Sequence, residues 1–326
     1  MRLATVFDTE INEPRPVFEL PGGQRVELRE LFRAPGVADN TLGGMPLYFT
    51  DLVTTVQYLD DVVAAVRSWA TQRSEAASHP LGESPQITRA TTLPFCPPIP
   101  VPKSFRSFDA FDERRGLAFS FANAGSLVGH DSTIYAPRNS VELDFGLELG
   151  LIIGTGGRDI PATSNAWNHV AGFTIVNTFA ARDVQRRGLG KGRDFATAVG
   201  PYLVTLDALR DRIDSEGRIH LSMTARVNGK TLVRGDAAAM NVTWPQIIEH
   251  ASSDVDLYPG DLISSGILAK GSILTLGLDQ TGGWLGGGDV IELEIERLGI
   301  LRTPVIARPA AAHRAGDNHA APSAMA

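Results

Sequence analysis

The side chains able to do chemistry in this 326-residue chain gather in two places. In Arg182–Arg193 five cations, Arg182, Arg186, Arg187, Lys191 and Arg193, crowd a segment bearing Gly188, Gly190 and Gly192. Glycines let backbone amides approach a ligand, and the cations favour a carboxylate or an enolate. A solvated turn has the same composition, so the residues alone leave both readings open. The second place is Val141–Ile153, which reads as one strand. Val141, Leu143, Phe145, Leu147, Leu149 and Leu151 share a face, and Glu142, Asp144, Gly146 and Glu148 share the other. Four residues of strand hold Asp144 roughly 13 Å from Glu148 at ~3.3 Å each. Metal–oxygen bonds are about 2.0–2.6 Å, so these two acids cannot share an ion without a bend.

Other patterns are bland. Gly154-Thr-Gly-Gly-Arg lacks the spacing of a dinucleotide loop, and Asp159-Ile-Pro follows it instead of a helix start. No serine lies in a G-x-S-x-G elbow, and the seven histidines form no H-x-x-x-H or H-E-x-x-H pair. His169 reads as a structural histidine. Cys96, the single cysteine, reads as a small buried apolar residue.

The elements that must position the two clusters follow from periodicity. Asp51–Arg73 spaces Leu52, Val53, Val56, Leu59, Val63, Val66 and Trp69 as an amphipathic helix capped by Thr50 or Asp51. Residues 1–90 form a small N-terminal domain ending in a polar linker from Ser74 to Ala90. Residues 91–306 form a β-rich domain, and 307–326, poor in large apolar residues, form a mobile tail. Further strands are expected at Gly172–Asn177, Leu221–Val227, Ser272–Leu278 and Val290–Arg297. Helices are expected at Ser164–Ala171 and from Thr243, with Pro245 in its first turn, to Ala251.

Hydrophobic residues make up 43% and charged residues 21% of the chain, enough for a sizeable core, and the net charge of −7 argues against nucleic acid as a partner. No apolar run reaches the ~18 residues of a membrane span, and Met1–Glu10 lacks a signal peptide's apolar segment. A cytoplasmic protein with no membrane partner is expected.

Several stretches together resemble the fumarylacetoacetate hydrolase superfamily, in that family's order over about two hundred residues. They include Pro102-Lys-Ser-Phe-Arg-Ser-Phe-Asp-Ala-Phe, Leu143-Asp-Phe-Gly-Leu-Glu-Leu, Gly156-Gly-Arg-Asp-Ile-Pro, Ala171-Gly-Phe-Thr-Ile-Val-Asn, Ala181-Arg-Asp-Val-Gln, Gly190-Lys-Gly-Arg-Asp-Phe-Ala-Thr, Pro259-Gly-Asp and Gly288-Asp-Val-Ile-Glu-Leu. The resemblance implies an α+β, β-rich fold: a mixed β-roll catalytic domain behind a small N-terminal domain, assembled as a homodimer. It also implies a divalent cation, Mg2+ or Ca2+ (or Mn2+), chelating a 2-oxo acid or 1,3-dicarbonyl that is cleaved, decarboxylated or tautomerised.

Position by position, the resemblance points to a lost chelate. Where members carry a carboxylate pair two residues apart, this chain has Gly146 and Glu148; where further acids follow, it has Thr178 and Ser107. Only Glu148 is retained, and a lone carboxylate holds magnesium poorly. The family's histidine and glutamate match Arg114, which stays protonated, and Thr275. A substrate-contacting tyrosine matches Asp109, and the Ser-Gly-Thr turn reads Ser265-Gly266-Ile267. Arg182, Gln185 and Lys191 match positions that hold a carboxylate or carbonyl oxygen.

The expected catalytic residues are therefore Lys191, Glu148 and Asp109. The expected substrate contacts are Arg182, Gln185, Arg114, Thr178, Gly146, Ser107 and Ile267, with no metal favoured. Three functions compete. One is metal-independent enolate or oxyanion chemistry on a β-dicarbonyl, 2-oxo acid or polyketide-like substrate, by tautomerisation, decarboxylation, dehydration or cyclisation. The others are a conventional Mg2+-dependent C–C hydrolase and a non-catalytic member that binds a ligand or partner.

Overall fold

The computed structural model describes residues 1–31, 41–42, 45–46, 51–75, 85–115, 117–188 and 191–306. The expected tail at 307–326 lies outside them, as does most of the expected linker. The linker's last residues belong to a helix, Pro85–Thr92.

Two sheets frame the main core, giving the α+β, β-rich architecture. In the larger, strands lie in the order Arg25–Glu27, Glu13–Glu19, Arg2–Asp8, Thr197–Thr205, Val170–Thr178, Leu147–Ile153, Leu262–Ser264, Phe105–Phe108 and Phe119–Phe121, with Leu127–Val128 pairing Thr197–Thr205 off this path. The smaller runs Lys230–Asp236, Ser222–Val227, Val290–Ile295, Gly299–Ile306 and Ile134–Tyr135. Alternation along each strand directs side chains to two different cores. From Leu147–Ile153, residues Leu147, Leu149, Leu151 and Ile153 meet Met223, Ala225, Leu293 and Ile295 of the smaller sheet. Ile152 turns the other way, toward Leu52, Val56, Val62 and Trp69 of the N-terminal helices. The first strands extend the larger sheet, with Leu3 opposite Leu203.

The expected helix over Asp51–Arg73 forms as two, Leu52–Gln57 and Leu59–Glu75, with the Asp51 carboxylate accepting from the Thr54 amide at 2.8 Å. The helix behind Thr243 is observed as Trp244–Ser252 with a Thr243/Gln246 capping box. The expected helix at Ser164–Ala171 is a 3-10 segment, Ser164–His169. Cys96 is half-buried, and burial raises its thiol pKa.

Two local expectations are corrected. Ser272–Leu278 is not a strand but a helical turn, Ile273–Leu276. Ser272 caps it, and the Asp144 carboxylate takes the Ile273 and Leu274 amides at 2.7 and 3.3 Å. Nor is Val141–Ile153 continuous: Leu143–Asp144 pairs with Ala180–Ala181 in a separate ribbon, and the large sheet begins only at Leu147. Val141, expected on one strand face with Leu143 and Phe145, is 83% exposed, whereas those two are buried. The break falls at Phe145–Gly146, where the Gly146 amide donates to the Asn177 side chain at 3.2 Å.

Candidate functional site

The central strands of the large sheet carry a row of hydroxyls with one carboxylate among them. Thr197 lies opposite Thr178, Ser264 opposite Ser107, and Ser107 opposite Ser120. Glu148 comes between, because its strand pairs Val176 on one side and, through Gly150, Ser264 on the other. The Thr178 and Ser264 hydroxyls each donate to the Glu148 carboxylate at 2.5 Å, and Ser107 lies at 3.5 Å. Glu148 is fully buried. Burial pushes its carboxyl above the usual carboxylate range, while Arg193 and the two donating hydroxyls draw it back and Asp109 adds to the rise.

Among the described residues, Arg193 is the cation that reaches this row. Its guanidinium stands 3.9 Å from Glu148 and 3.4 Å from the Ser107 hydroxyl. Gly192 directs it there: the residue has φ +90°, and a Cβ would come within 2.7 Å of the Ala181 carbonyl and the Gln185 amide. Only glycine meets both conditions. One residue earlier, Lys191 is 74% exposed and paired with Asp194 at 2.6 Å.

Two clefts open beside the row, with Asp109 and Arg193 lining both. The first, about 370 Å³, is lined by Thr178, Gln185, Lys191, Arg115, Phe119 and Phe121, among others. The second, about 430 Å³, includes Ser107, Arg114, Gly266, Ile267, Lys270 and Thr275. Asp109 is half-exposed and held by Arg115 at 3.1 Å.

The structure thus brings Glu148, Asp109, Thr178, Ser107, Gln185, Lys191, Arg114 and Ile267 to one region. Two residues expected to contact substrate do not face these clefts. Arg182 is buried and grips Asp144 through Nε and a terminal nitrogen, both at 2.8 Å, while donating to Gln185 at 3.0 Å. Its guanidinium is committed to holding the ribbon and the capped turn together. Gly146 is walled off: a Cβ there would lie 2.6 Å from the Thr178 hydroxyl and 2.8 and 2.9 Å from Ile267 carbons. Residue spacing gave no role to Ser264 or to the Phe119–Phe121 pair. It marked Arg193 only as one of five cations, since its selection depends on the turn at Gly192.

Among the described residues, no three His, Cys, Asp or Glu side chains converge as a metal-binding group. No described helix is long and apolar enough to cross a membrane.

Comparison with known proteins agrees with this architecture. The fumarylacetoacetate (FAA) hydrolase C-terminal family model matches residues 108–306. The mitochondrial oxaloacetate tautomerase FAHD2A of Homo sapiens is 33% identical over 214 residues, covering 64% of this chain and 61% of that protein. The 2,4-didehydro-3-deoxy-L-rhamnonate hydrolase of Sphingomonas sp. is 36% identical over 185 residues, 55% of this chain and 61% of that protein. The chain therefore spans about three fifths of the length of these relatives, which are enzymes. A solved fumarylacetoacetate hydrolase from psychrophilic Exiguobacterium antarcticum superposes with a TM-score of 0.68 over 94% of this chain and 100% of that one, at 23% identity, and so shares the fold. With the family model covering residues 108–306, the chain belongs to the fumarylacetoacetate hydrolase family.

Proposed function

We propose that this chain is an enzyme of enol chemistry, moving a proton at the carbon beside a carbonyl of a carboxylate-bearing 2-oxo acid or 1,3-dicarbonyl. Keto–enol tautomerisation of an oxaloacetate-like acid is the simplest such reaction, and the tautomerase relative supports it. The observation that carries the reading is the buried Glu148 carboxylate, set among donated hydroxyls and 3.9 Å from Arg193, which itself lines both clefts.

In tautomerisation one proton leaves carbon and another arrives on oxygen, with no atom gained or lost. The protein must supply a group that takes and returns a proton and a cation that stabilises the enolate. Glu148 has its proton affinity raised by burial, which suits it to the first task. Having no exposed surface, it reaches the cleft through the Thr178 hydroxyl, which touches both. Arg193 takes the second task. Asp109, at the junction of the clefts, is the exposed acid–base group, and Lys191 at the rim draws anions in.

The described residues around Glu148 do not fit a divalent cation. Such an ion takes several oxygen ligands of net negative charge, whereas here one carboxylate already accepts two hydroxyl hydrogens beside a guanidinium. The reaction is therefore assigned to the protein's own groups, without Mg2+, Ca2+ or Mn2+.

The test is the loss of enol absorbance of oxaloacetate and of 2,4-dioxo acids, before and after stripping the protein with a chelator. Catalysis that survives the chelator and falls by about 10²–10⁴ in Glu148→Gln supports the reading. Activity lost on chelation and restored by magnesium would return the metal-dependent hydrolase. No turnover of either class would favour a binding role.

A further inference from the structure

Phe121 is 70% exposed yet firmly held. The Arg106 guanidinium lies 5.3 Å from its ring centroid, and Phe119 meets it edge-on at 5.6 Å. Both supports are fixed in turn. Arg106 is 4% exposed, bonded to the Ser104 hydroxyl at 2.5 Å and 3.9 Å from Asp261. Phe119 stacks on the buried Phe108 at 5.0 Å. A lone exposed phenylalanine carries little meaning, but this ring lines the first cleft together with Lys191, Arg193 and Gln185. The cleft combines an anchored aromatic surface with a cationic one. Its volume of about 370 Å³ falls in the range of drug-sized ligand sites, about 300–1,000 Å³, well above the needs of a four-carbon acid.

We propose that the substrate is amphipathic: its oxo-acid head lies at Arg193 and Lys191, and an apolar arm, aryl or branched alkyl, lies against Phe121 and Phe119. The assignment of the head as the reacting end rests on the enol reading above; the subsite for the arm stands on the aromatic wall. Burying an aryl arm there raises kcat/KM about tenfold or more over a methyl arm, as apolar contacts in a pocket do.

The experiment compares 2,4-dioxo acids carrying a methyl or a phenyl group at the far carbonyl, in the wild type, Phe121→Ala and Phe121→Leu. The same proteins are titrated calorimetrically with pyruvate and phenylpyruvate, a readout independent of turnover. The expected phenyl-to-methyl ratio is at least ten in the wild type, falls at least fivefold in Phe121→Ala and stays within twofold in Phe121→Leu, so that general damage cancels. A wild-type ratio near one, or one unchanged in Phe121→Ala, overturns the subsite even if turnover proceeds. Phenylpyruvate binding that depends on Phe121 without any turnover upholds the subsite and overturns the enol reading. A Phe121→Ala protein that sediments as a smaller species with its ratio unchanged would assign the ring to a contact between copies, and also overturns the proposal.

Discussion

Gly146→Ala tests the claim that Ile267 and Thr178 fill the space beside Glu148. The new methyl would lie 2.6 Å from the Thr178 hydroxyl oxygen and 2.8 and 2.9 Å from two Ile267 carbons. Thr178 cannot yield cheaply, because its hydroxyl is held at 2.5 Å by Glu148. Ile267 must leave its rotamer instead. Overpacking of this kind costs about 1–3 kcal/mol, and the reduced freedom of the unfolded chain on replacing glycine returns about 0.4–1 kcal/mol. The net expectation is a loss of about 1–2 kcal/mol. Ile267→Ala removes the clashing carbons, so the double variant should be more stable than the sum of the single losses predicts, by about 1 kcal/mol or more. Urea unfolding followed by tryptophan fluorescence measures this through the shift in midpoint at constant m. A Gly146→Ala protein as stable as the wild type, or one not rescued by Ile267→Ala, would refute the closed-site argument. The same geometry predicts that Gly146→Glu with Thr178→Asp binds no magnesium in calorimetry until Ile267 is shortened as well.

Further expectations can be checked separately. Arg182→Met leaves the fully buried Asp144 carboxylate without its cation and should cost about 3–5 kcal/mol in urea unfolding, only part of it recovered when Asp144→Leu accompanies Arg182→Leu, because the Ile273 and Leu274 amides then lose their acceptor; a small loss in the single variant would contradict the structural role. His130 accepts the Arg302 amide on Nδ1 at 3.1 Å, and burial lowers its pKa below the ordinary 6.5. The stabilisation from the neutral ring is thus complete above about 6.5 and lost as pH falls through the lowered value, so the melting temperature should decline over that window in the wild type and less in His130→Asn. Lys191→Met should change kcat less than about threefold, whereas Arg193→Met should lower it by about a hundredfold or more. The reverse order would move the enolate contact to the rim.

What the sequence makes legible depends on distance along the chain. The Trp244–Ser252 helix is visible because its signals, Thr243, Pro245 and Gln246, are local. Glu148 is visible because alternation marks its face, and the ordered family stretches mark its strand. Glu13–Glu19 escapes notice because Pro14 and Pro16 argue against a strand, although the pairing of Arg2–Asp8 across it forms one. Asp144 reads as a neighbour of Glu148 on the same face; the break at Gly146 that turns it toward Arg182 depends on contacts with Asn177 and Ile267, remote in sequence. Ser264 could not be chosen over Ser265 by spacing, since only the register with Ser107 brings its hydroxyl to Glu148.

That register has a consequence in time. Leu262–Ser264 inserts between Leu147–Ile153 and Phe105–Phe108, antiparallel to one and parallel to the other. Until it arrives, Ser107 has no strand to place it beside Glu148. The pocket therefore cannot exist until synthesis has passed Ser264, and a ligand cannot act as a folding template for the segments made before it. Any stabilisation by ligand is confined to the finished protein. Clipping in the surface turn at Asn228–Gly229 of released chains should consequently be slowed by ligand only after the sheet has closed.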